Sequence, residues 1–130
     1  MLKRACEVLI QRRTSLIAGD VAQLPFPSNF FDIAMSAHCL EHTENPCATV
    51  AELTRVVRPG GLLLFVISRP GPLDSITRTV WRYRHIDACD VLRWMWEHGA
   101  APLGSMMFGS RRQIGHWLSQ AVVGQRTLVV

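Results

Sequence analysis

The segment that most constrains the fold of this chain is an uninterrupted apolar run, Leu62-Leu63-Leu64-Phe65-Val66-Ile67. A strand with this sequence is apolar on both faces, as is typical of a central strand covered by helices on both sides of its sheet. The run is far shorter than the roughly 20 residues that a helix needs to cross a bilayer. It follows Arg58-Pro59-Gly60-Gly61, a sequence that ends any helix arriving from the amino-terminal side. The run therefore predicts a central strand of an α/β domain.

A helix and a second strand are predicted just before this run. Asn45 is a good N-cap, and Pro46 suits the first helical position because its missing N–H is not needed there. The apolar stripe of this helix consists of Val50, Leu53 and Val57. Residues 31–36 (Phe-Asp-Ile-Ala-Met-Ser) indicate a buried strand. Since right-handed helical crossovers join parallel neighbours, we expect 31–36 to pair in parallel with 62–67.

The remaining elements continue the alternation of strands and helices. The predicted elements are a helix over residues 2–12, a buried strand at Ser15–Ala18, a helix capped by Asp87 and ended by Gly99, a strand at Ala101–Phe108, a helix from Ser110 ended by Gly124, and a strand at Gln125–Val130. Such alternation predicts α/β architecture with a mainly parallel sheet.

Composition narrows the class of protein. A chain of 130 residues, 48% hydrophobic, fits one domain and leaves no room for a second. The net charge of +4 comes from scattered basic residues, which does not favour nucleic acid as a partner. The four cysteines form no CxxC pair, and Glu7 with 11–13 (Gln-Arg-Arg) interrupts any signal peptide. These features indicate a cytoplasmic domain with reduced thiols and no membrane segment.

Several ordered motifs lie between residues 19 and 61. They are Gly19-Asp20, Leu24-Pro25-Phe26-Pro27, Phe31-Asp32, Leu40-Glu41-His42 and Glu52-Leu53-Thr54-Arg55-Val56-Val57-Arg58-Pro59-Gly60-Gly61. In order and spacing they resemble the class I S-adenosylmethionine-dependent methyltransferases, in particular the branch with a Rossmann-like core that acts on small molecules. The resemblance is strong over residues 15–68 and looser after them.

The resemblance implies a cofactor site at the carboxyl ends of the strands, where ligands lie in open parallel sheets. It implies that Asp20 accepts a hydrogen bond from the adenine amino group, that Val21 packs on the adenine or hydrogen-bonds its edge, and that Ser36, Ala37 and His38 line the methionine side. Without the surrounding motifs, Asp20 would be interpreted as a turn residue that binds its own backbone. The activity implied is methyl transfer from S-adenosylmethionine to a small-molecule acceptor.

The general base for such a transfer is left open by the sequence. His38, Glu41, His42 and His85 are candidates by location and titrating type only.

The chain also departs from the family. The first strand with its glycine-rich loop, and the second-strand acid that holds the ribose, have no counterpart. We therefore expect a single, amino-terminally truncated partial domain over 1–130 that lacks the first two strands of the family core, whose strand order is 3-2-1-4-5-7-6, and we expect weak or no binding of the cofactor. The alternative function is a catalytically inactive domain that acts as an interaction subunit, completed by another chain or by a second copy.

The missing strands leave two outcomes for Ser15–Ala18. This strand either pairs directly with 31–36, in the place of the absent first strand, or remains an unpaired edge. Exposed apolar edges promote aggregation, so direct pairing is the favoured expectation.

A competing motif is His38-Cys39-Leu40-Glu41-His42, which matches the inverted zinc-protease pattern H-x-x-E-H. Zinc binding by this pentapeptide needs a stable helix, whereas here it lies between a strand end and the Asn45-Pro46 helix start. Cys39 and Cys47 could add ligands, but small buried hydrophobes are the more ordinary interpretation of both. We therefore expect no metal.

Overall fold

The computed structural model describes residues 15–68, 84–108 and 119–127. They form, in chain order, β1 (Phe31–Ala37), a short 3-10 helix (Leu40–His42), α1 (Pro46–Val56), β2 (Val57–Ser68), α2 (Ala88–Glu97), β3 (Ala100–Phe108) and β4 (Ser119–Arg126). The predicted helix over residues 2–12 lies outside the described residues. Neither α1 nor α2 is long and apolar enough to span a membrane.

The strands form one mixed sheet in the order β1-β2-β4-β3. β1 and β2 are parallel, with Ser36 opposite Phe65, which confirms the predicted pair. β4 is antiparallel to both of its neighbours and places Val122 on the other side of Phe65. The α/β class is therefore confirmed, with a parallel part limited to β1 and β2 among the described strands. The observed order β1-β2-β4-β3 corresponds to strands 4, 5, 7 and 6 of the family order that the resemblance implies.

Both helices begin at the predicted caps. The Asn45 side chain accepts a hydrogen bond from the Ala48 N–H at 3.1 Å, and that of Asp87 accepts one from the Cys89 N–H at 2.9 Å. The hydrogen bonds from Cys89 lower the pKa of Asp87, so a negative charge faces the positive end of the α2 dipole. At the other end of α2, Gly99 has φ +80°, as a C′ glycine should.

The hydrophobic core lies on one face of the sheet. Leu63, Phe65 and Ile67 of β2 are each about 1% exposed or less, and they pack under both helices. The helices contribute Val50 and Leu53 from α1 and Val91 and Met95 from α2. On the opposite face of β2, Leu64 and Val66 are half-buried and Leu62 is exposed. The described helices thus cover one face of this strand, whereas the sequence predicted cover on both.

The carboxyl-terminal elements differ from the prediction. Residues 119–124 were predicted as the end of a helix but belong to β4, which ends at Arg126; residues 110–118 lie outside the described part. The segment forms a strand rather than a helix because Ala121 and Val122 become buried between β2 and β3. The spacing of apolar residues in the sequence does not reveal this burial. Gly124, predicted to end a helix, instead makes room for Met95, since a Cβ at this position would lie 1.8 Å from Met95 Cε.

The predicted strand at Ser15–Ala18 is wrong. Within the described ranges these residues lie in no strand and pair with none of β1 to β4, and Leu16 and Ile17 are 39% and 54% exposed. The favoured pairing with β1 therefore does not occur. A physical reason is that the following loop is fastened to α1, as described below, so that moving the segment onto β1 would break those hydrogen bonds.

Candidate functional site

Three polar side chains meet at the edge of the sheet where β1 and β2 end. His38 directly follows β1, and its N–H donates to the Val66 carbonyl at 2.8 Å. Ser68 is the last residue of β2, and Ser119, the first residue of β4, is its register partner. The parallel β1–β2 pair and the antiparallel β4 therefore bring His38, Ser68 and Ser119 to one place although they are far apart in sequence.

The His38 ring has a partner at both nitrogens. Its Nδ1 lies 3.1 Å from Ser68 Oγ, and its Nε2 lies 3.3 Å from Ser119 Oγ. Which nitrogen donates depends on the tautomer. His38 also has φ 50°, an uncommon backbone conformation for a residue with a side chain. The ring is thus fixed in orientation while 44% of its side chain stays exposed, as a group that exchanges protons with a ligand must be.

Glu41 supports this arrangement from below the surface. Its side chain is 3% exposed, and Oε1 lies 3.6 Å from His38 Nδ1 while accepting a hydrogen bond from the Ser68 N–H at 2.7 Å. Its Oε2 is buried and has no hydrogen-bond partner among the described residues. A buried carboxyl group with an unsatisfied oxygen costs free energy, and such groups concentrate at functional sites. Glu41 therefore positions both His38 and the end of β2.

A cavity of about 350 Å³ opens beside the amino terminus of α1. Its described lining consists of Asp20, Val21, Ala22, His42, Thr43, Glu44, Asn45 and Thr49. Its volume falls within the range of about 300 to 1,000 Å³ that is usual for small-molecule sites.

Asp20 lines this cavity and lies in a tight turn. Its Oδ1 accepts a hydrogen bond from the Ala22 N–H at 2.9 Å, and its carbonyl accepts one from the Gln23 N–H at 3.0 Å. The turn interpretation of Asp20 is thus correct. It does not exclude ligand binding, because the hydrogen bonds within the described residues use Oδ1 and leave Oδ2 available. The turn fixes the direction of the carboxylate.

An ion pair on α1 holds the loop that follows this turn. Arg55 donates to both carboxylate oxygens of Glu52, at 2.7 Å each, and also to the carbonyl of Phe26 at 2.9 Å. Glu52 in turn accepts a hydrogen bond from the Leu24 N–H at 2.8 Å. The Arg55 hydrogen bond lowers the pKa of Glu52, so the pair stabilises the fold at neutral pH and this contribution is lost as the pH falls through the lowered value.

The predicted cofactor residues fall into two groups. Asp20 and Val21 line the cavity beside α1, whereas Ser36, Ala37 and His38 are not among its described lining residues. Ser36 is 7% exposed, and its Oγ has no partner in the described part of the chain. Ala37 is exposed at the end of β1. Sequence reasoning missed Ser68 and Ser119, because only strand pairing places them beside His38.

A second cavity, of about 220 Å³, adjoins the His38 network through Ser68. Its described lining consists of Ile67, Ser68, His85, Ile86, Asp87, Ala88 and Gln120. His85, one of the four base candidates, therefore lies in a different cavity from His42. The pentapeptide that contains His38 and His42 includes only a three-residue 3-10 helix, so it is not on the stable helix that the zinc-protease pattern requires.

Comparison with known proteins supports the assignment of a family. The family model described as a methyltransferase domain matches residues 1–65. A phthiotriol/phenolphthiotriol dimycocerosates methyltransferase from Mycobacterium ulcerans is 39% identical over 77 residues, 53% of this chain and 27% of the relative. The ubiquinone/menaquinone biosynthesis C-methyltransferase UbiE from Paraburkholderia xenovorans is 27% identical over 95 residues, 73% of this chain and 37% of the relative.

Solved structures show the same fold. Geranyl diphosphate C-methyltransferase from Streptomyces coelicolor, crystallised with Mg²⁺, geranyl diphosphate and S-adenosyl-L-homocysteine, has a TM-score of 0.76 at 12% identity. The match covers 96% of this chain and 57% of that chain. The present chain spans about a third of the length of the curated relatives named above. With the family model matching half of its residues, the chain belongs to the class I methyltransferase domain family.

Proposed function

We propose that this chain contributes the adenine-binding cavity and the acceptor-side polar network of an enzyme that transfers a methyl group from S-adenosylmethionine to a small-molecule acceptor. The observation that carries the proposal is the cavity of about 350 Å³ that is lined by Asp20, whose carboxylate is held by the Ala22 N–H. A turn-fixed carboxylate oxygen next to the apolar Val21 provides one acceptor and one packing surface, which suits an adenine ring.

The residues present fit the cofactor at two places. Asp20 Oδ2 would accept from the adenine amino group while Val21 packs on the ring. The buried Ser36 Oγ, which lacks a partner within the described residues, is a polar group available to the methionine side together with Ala37 and His38. When bound, S-adenosylmethionine supplies an electrophilic methyl group for in-line displacement. The protein then contributes mainly orientation and electrostatics.

Among the four base candidates, the contacts favour His38. Its ring is held by Ser68 and Ser119 and remains partly exposed, so it can take a proton from an acceptor and pass it to solvent. Glu41 is too deeply buried to meet an acceptor, and we assign it the role of positioning His38. The cavity that adjoins Ser68 provides space for an acceptor on this side.

A nuclear magnetic resonance titration with S-adenosylhomocysteine tests the proposal. We expect amide shifts at residues 20–22 and 36–38, with a dissociation constant in the roughly millimolar range or weaker. The glycine-rich loop and the ribose-binding acid of the family have no counterpart in this sequence, and each lost hydrogen bond to a charged group removes about 1.5 to 3 kcal/mol of binding free energy. Asp20→Asn should reduce the shifts at 20–22. The matched control is Asp32→Asn, whose carboxylate is 78% exposed and pairs with Arg58 instead. Shifts confined to other parts of the chain, or a micromolar constant insensitive to Asp20→Asn, would contradict the proposal.

We also propose that the outer edge of β1 takes a further strand, either from a completing chain or from a second copy. Within the described residues β1 pairs on one side only, and Ile33 and Met35 are 60% and 65% exposed. Unpaired strand edges with apolar side chains favour association, and an added lysine opposes it. For a second copy, light scattering should show concentration-dependent dimers that Met35→Lys disrupts. Met106→Lys, at a 62% exposed position on the opposite edge strand, should have no such effect; equal loss in both variants would argue against the β1 edge.

The cellular location that best suits the free cysteines of this chain is the cytoplasm. The described cysteines Cys39, Cys47 and Cys89 are free thiols, which fits a reducing compartment.

A further inference from the structure

One cluster of metal-binding side chains lies outside both cavities. Cys47 is in the first turn of α1, Glu97 is the last residue of α2, and His98 directly follows it. Cys47 Sγ and His98 Nε2 are 3.5 Å apart although the two residues are 51 positions apart in sequence. One ligand atom from each of the three side chains lies within 4.8 Å of the other two, and no other such trio occurs in the described ranges. The side-by-side packing of α1 and α2 creates this cluster.

The donor set and its spacing suit zinc. Thiolate, imidazole and carboxylate are the three groups that bind Zn²⁺ in proteins, at about 2.0 to 2.3 Å, so neighbouring ligand atoms of a tetrahedral site are about 3.5 Å apart. The Cys47–His98 pair already has this separation. Glu97 needs to move by only about an ångström, which is small for a long, exposed side chain.

The surroundings of the cluster oppose zinc binding only weakly. Glu97 forms an ion pair with Arg93, whose Nε is 3.9 Å from Glu97 Oε1, and both side chains are at least half exposed. Such a surface pair contributes little and is easily given up. The carboxyl end of α2, where Glu97 and His98 lie, carries the negative end of the helix dipole and favours a cation. The His98 backbone N–H donates to the Trp94 carbonyl at 3.1 Å, and this hydrogen bond fixes the backbone position of His98.

We propose that Cys47, Glu97 and His98 bind one Zn²⁺ ion that clamps α1 to α2. On binding, the thiol proton of Cys47 is released to solvent, and water fills the fourth position. This site is distinct from the H-x-x-E-H pentapeptide, on which the sequence-based expectation of no metal rested. It shares no residue with the proposed methyl-transfer site, so the two proposals fail or succeed separately.

Titration of the reduced, metal-free chain with Co²⁺ tests the proposal, because cobalt replaces zinc and its bond to a thiolate gives a near-ultraviolet charge-transfer absorption. We expect one equivalent of Co²⁺ to bind with this absorption, and Zn²⁺ to displace it. Cys47→Ser should abolish the absorption and weaken zinc binding roughly 100-fold. Cys89→Ser is the matched control, since Cys89 is exposed and lies outside the cluster, and it should bind as the parent chain does. His98→Ala should behave like Cys47→Ser.

Thermal unfolding provides a second readout that also shows whether the variants fold. Without metal, Cys47→Ser and the parent chain should unfold at the same Tm. Zinc at a hundredfold excess over the Kd of the parent chain should raise the Tm of the parent and of Cys89→Ser by roughly 5 to 10 °C, and that of Cys47→Ser by no more than about 2 °C. Absence of the cobalt–thiolate absorption in the parent, or equal zinc binding by parent and Cys47→Ser, would overturn the proposal.

Discussion

Replacing Phe65 with alanine is expected to lower the free energy of unfolding by about 3 to 5 kcal/mol. Phe65 is 1% exposed and lies in the middle of β2, with Ser36 of β1 on one side and Val122 of β4 on the other. Its ring packs in the cluster formed with both helices, so truncation leaves a cavity that three elements must close at once. Since domains of this size are stable by about 5 to 15 kcal/mol, the loss is a large share of the total.

Urea denaturation monitored by circular dichroism measures this loss. The matched control is Phe30→Ala, the same truncation at a position that is 59% exposed. Phe30 makes ring contacts with Phe26 and Phe31, at centroid distances of 6.0 and 4.8 Å, and we expect a loss of about 1 kcal/mol there. Equal losses in the two variants would show that β2 is not the centre of the core.

The second large effect is expected at Gly61, in the part of β2 before the apolar run where the pairing with β1 shifts register. Gly61→Ala should destabilise the fold by about 3 kcal/mol, because the added methyl group has no room. A Cβ at Gly61 would lie 2.6 Å from the Asp32 carbonyl oxygen, 2.6 Å from Val57 Cγ1 and 2.9 Å from the Arg58 carbonyl oxygen. Two of these atoms belong to the backbone, so relief requires β1 and β2 to separate.

The neighbouring Gly60 offers a control of a different physical kind. A Cβ there meets nothing within 4 Å, but φ is +80°, so Gly60→Ala should cost about 1 to 2 kcal/mol through backbone strain alone. Gly60→Asn should cost less than Gly60→Ala, since asparagine tolerates the left-handed region, whereas Gly61→Asn should be at least as harmful as Gly61→Ala. If Gly61→Ala unfolds at the same urea concentration as the parent chain, the close approach of the Asp32 carbonyl is wrong.

The candidate site was only partly accessible to sequence reasoning. Asp20 and Val21 were predicted from their motif, and they do line one cavity. His38 was predicted for the methionine side, but its contacts with Ser68 and Ser119 come from strand pairing over 30 and 81 residues of sequence. No local signal marks such partners. The same is true of the cluster proposed to bind zinc, whose ligands come from two helices.

The sequence by itself determined the local elements. Asn45 and Asp87 cap helices because their side chains satisfy N–H groups within a few residues, and Pro46 fixes the first turn of α1. The apolar run at 62–67 indicated a strand, and the helix before it favoured a parallel partner, which is β1. These features depend on neighbours in the chain or on hydrophobic pattern alone.

The tertiary structure decided the rest. Residues 119–124 have acceptable helical spacing, yet they form β4 because the slot between β2 and β3 buries Ala121 and Val122 and pairs the backbone on both sides. Residues 15–18 have the pattern of a buried strand, yet the loop after them is held on α1, where Leu24 N–H donates to Glu52 and Arg55 donates to the Phe26 carbonyl. In both cases contacts between residues distant in sequence outweigh local preferences of about 1 kcal/mol or less, and such contacts exist only once the chain has folded.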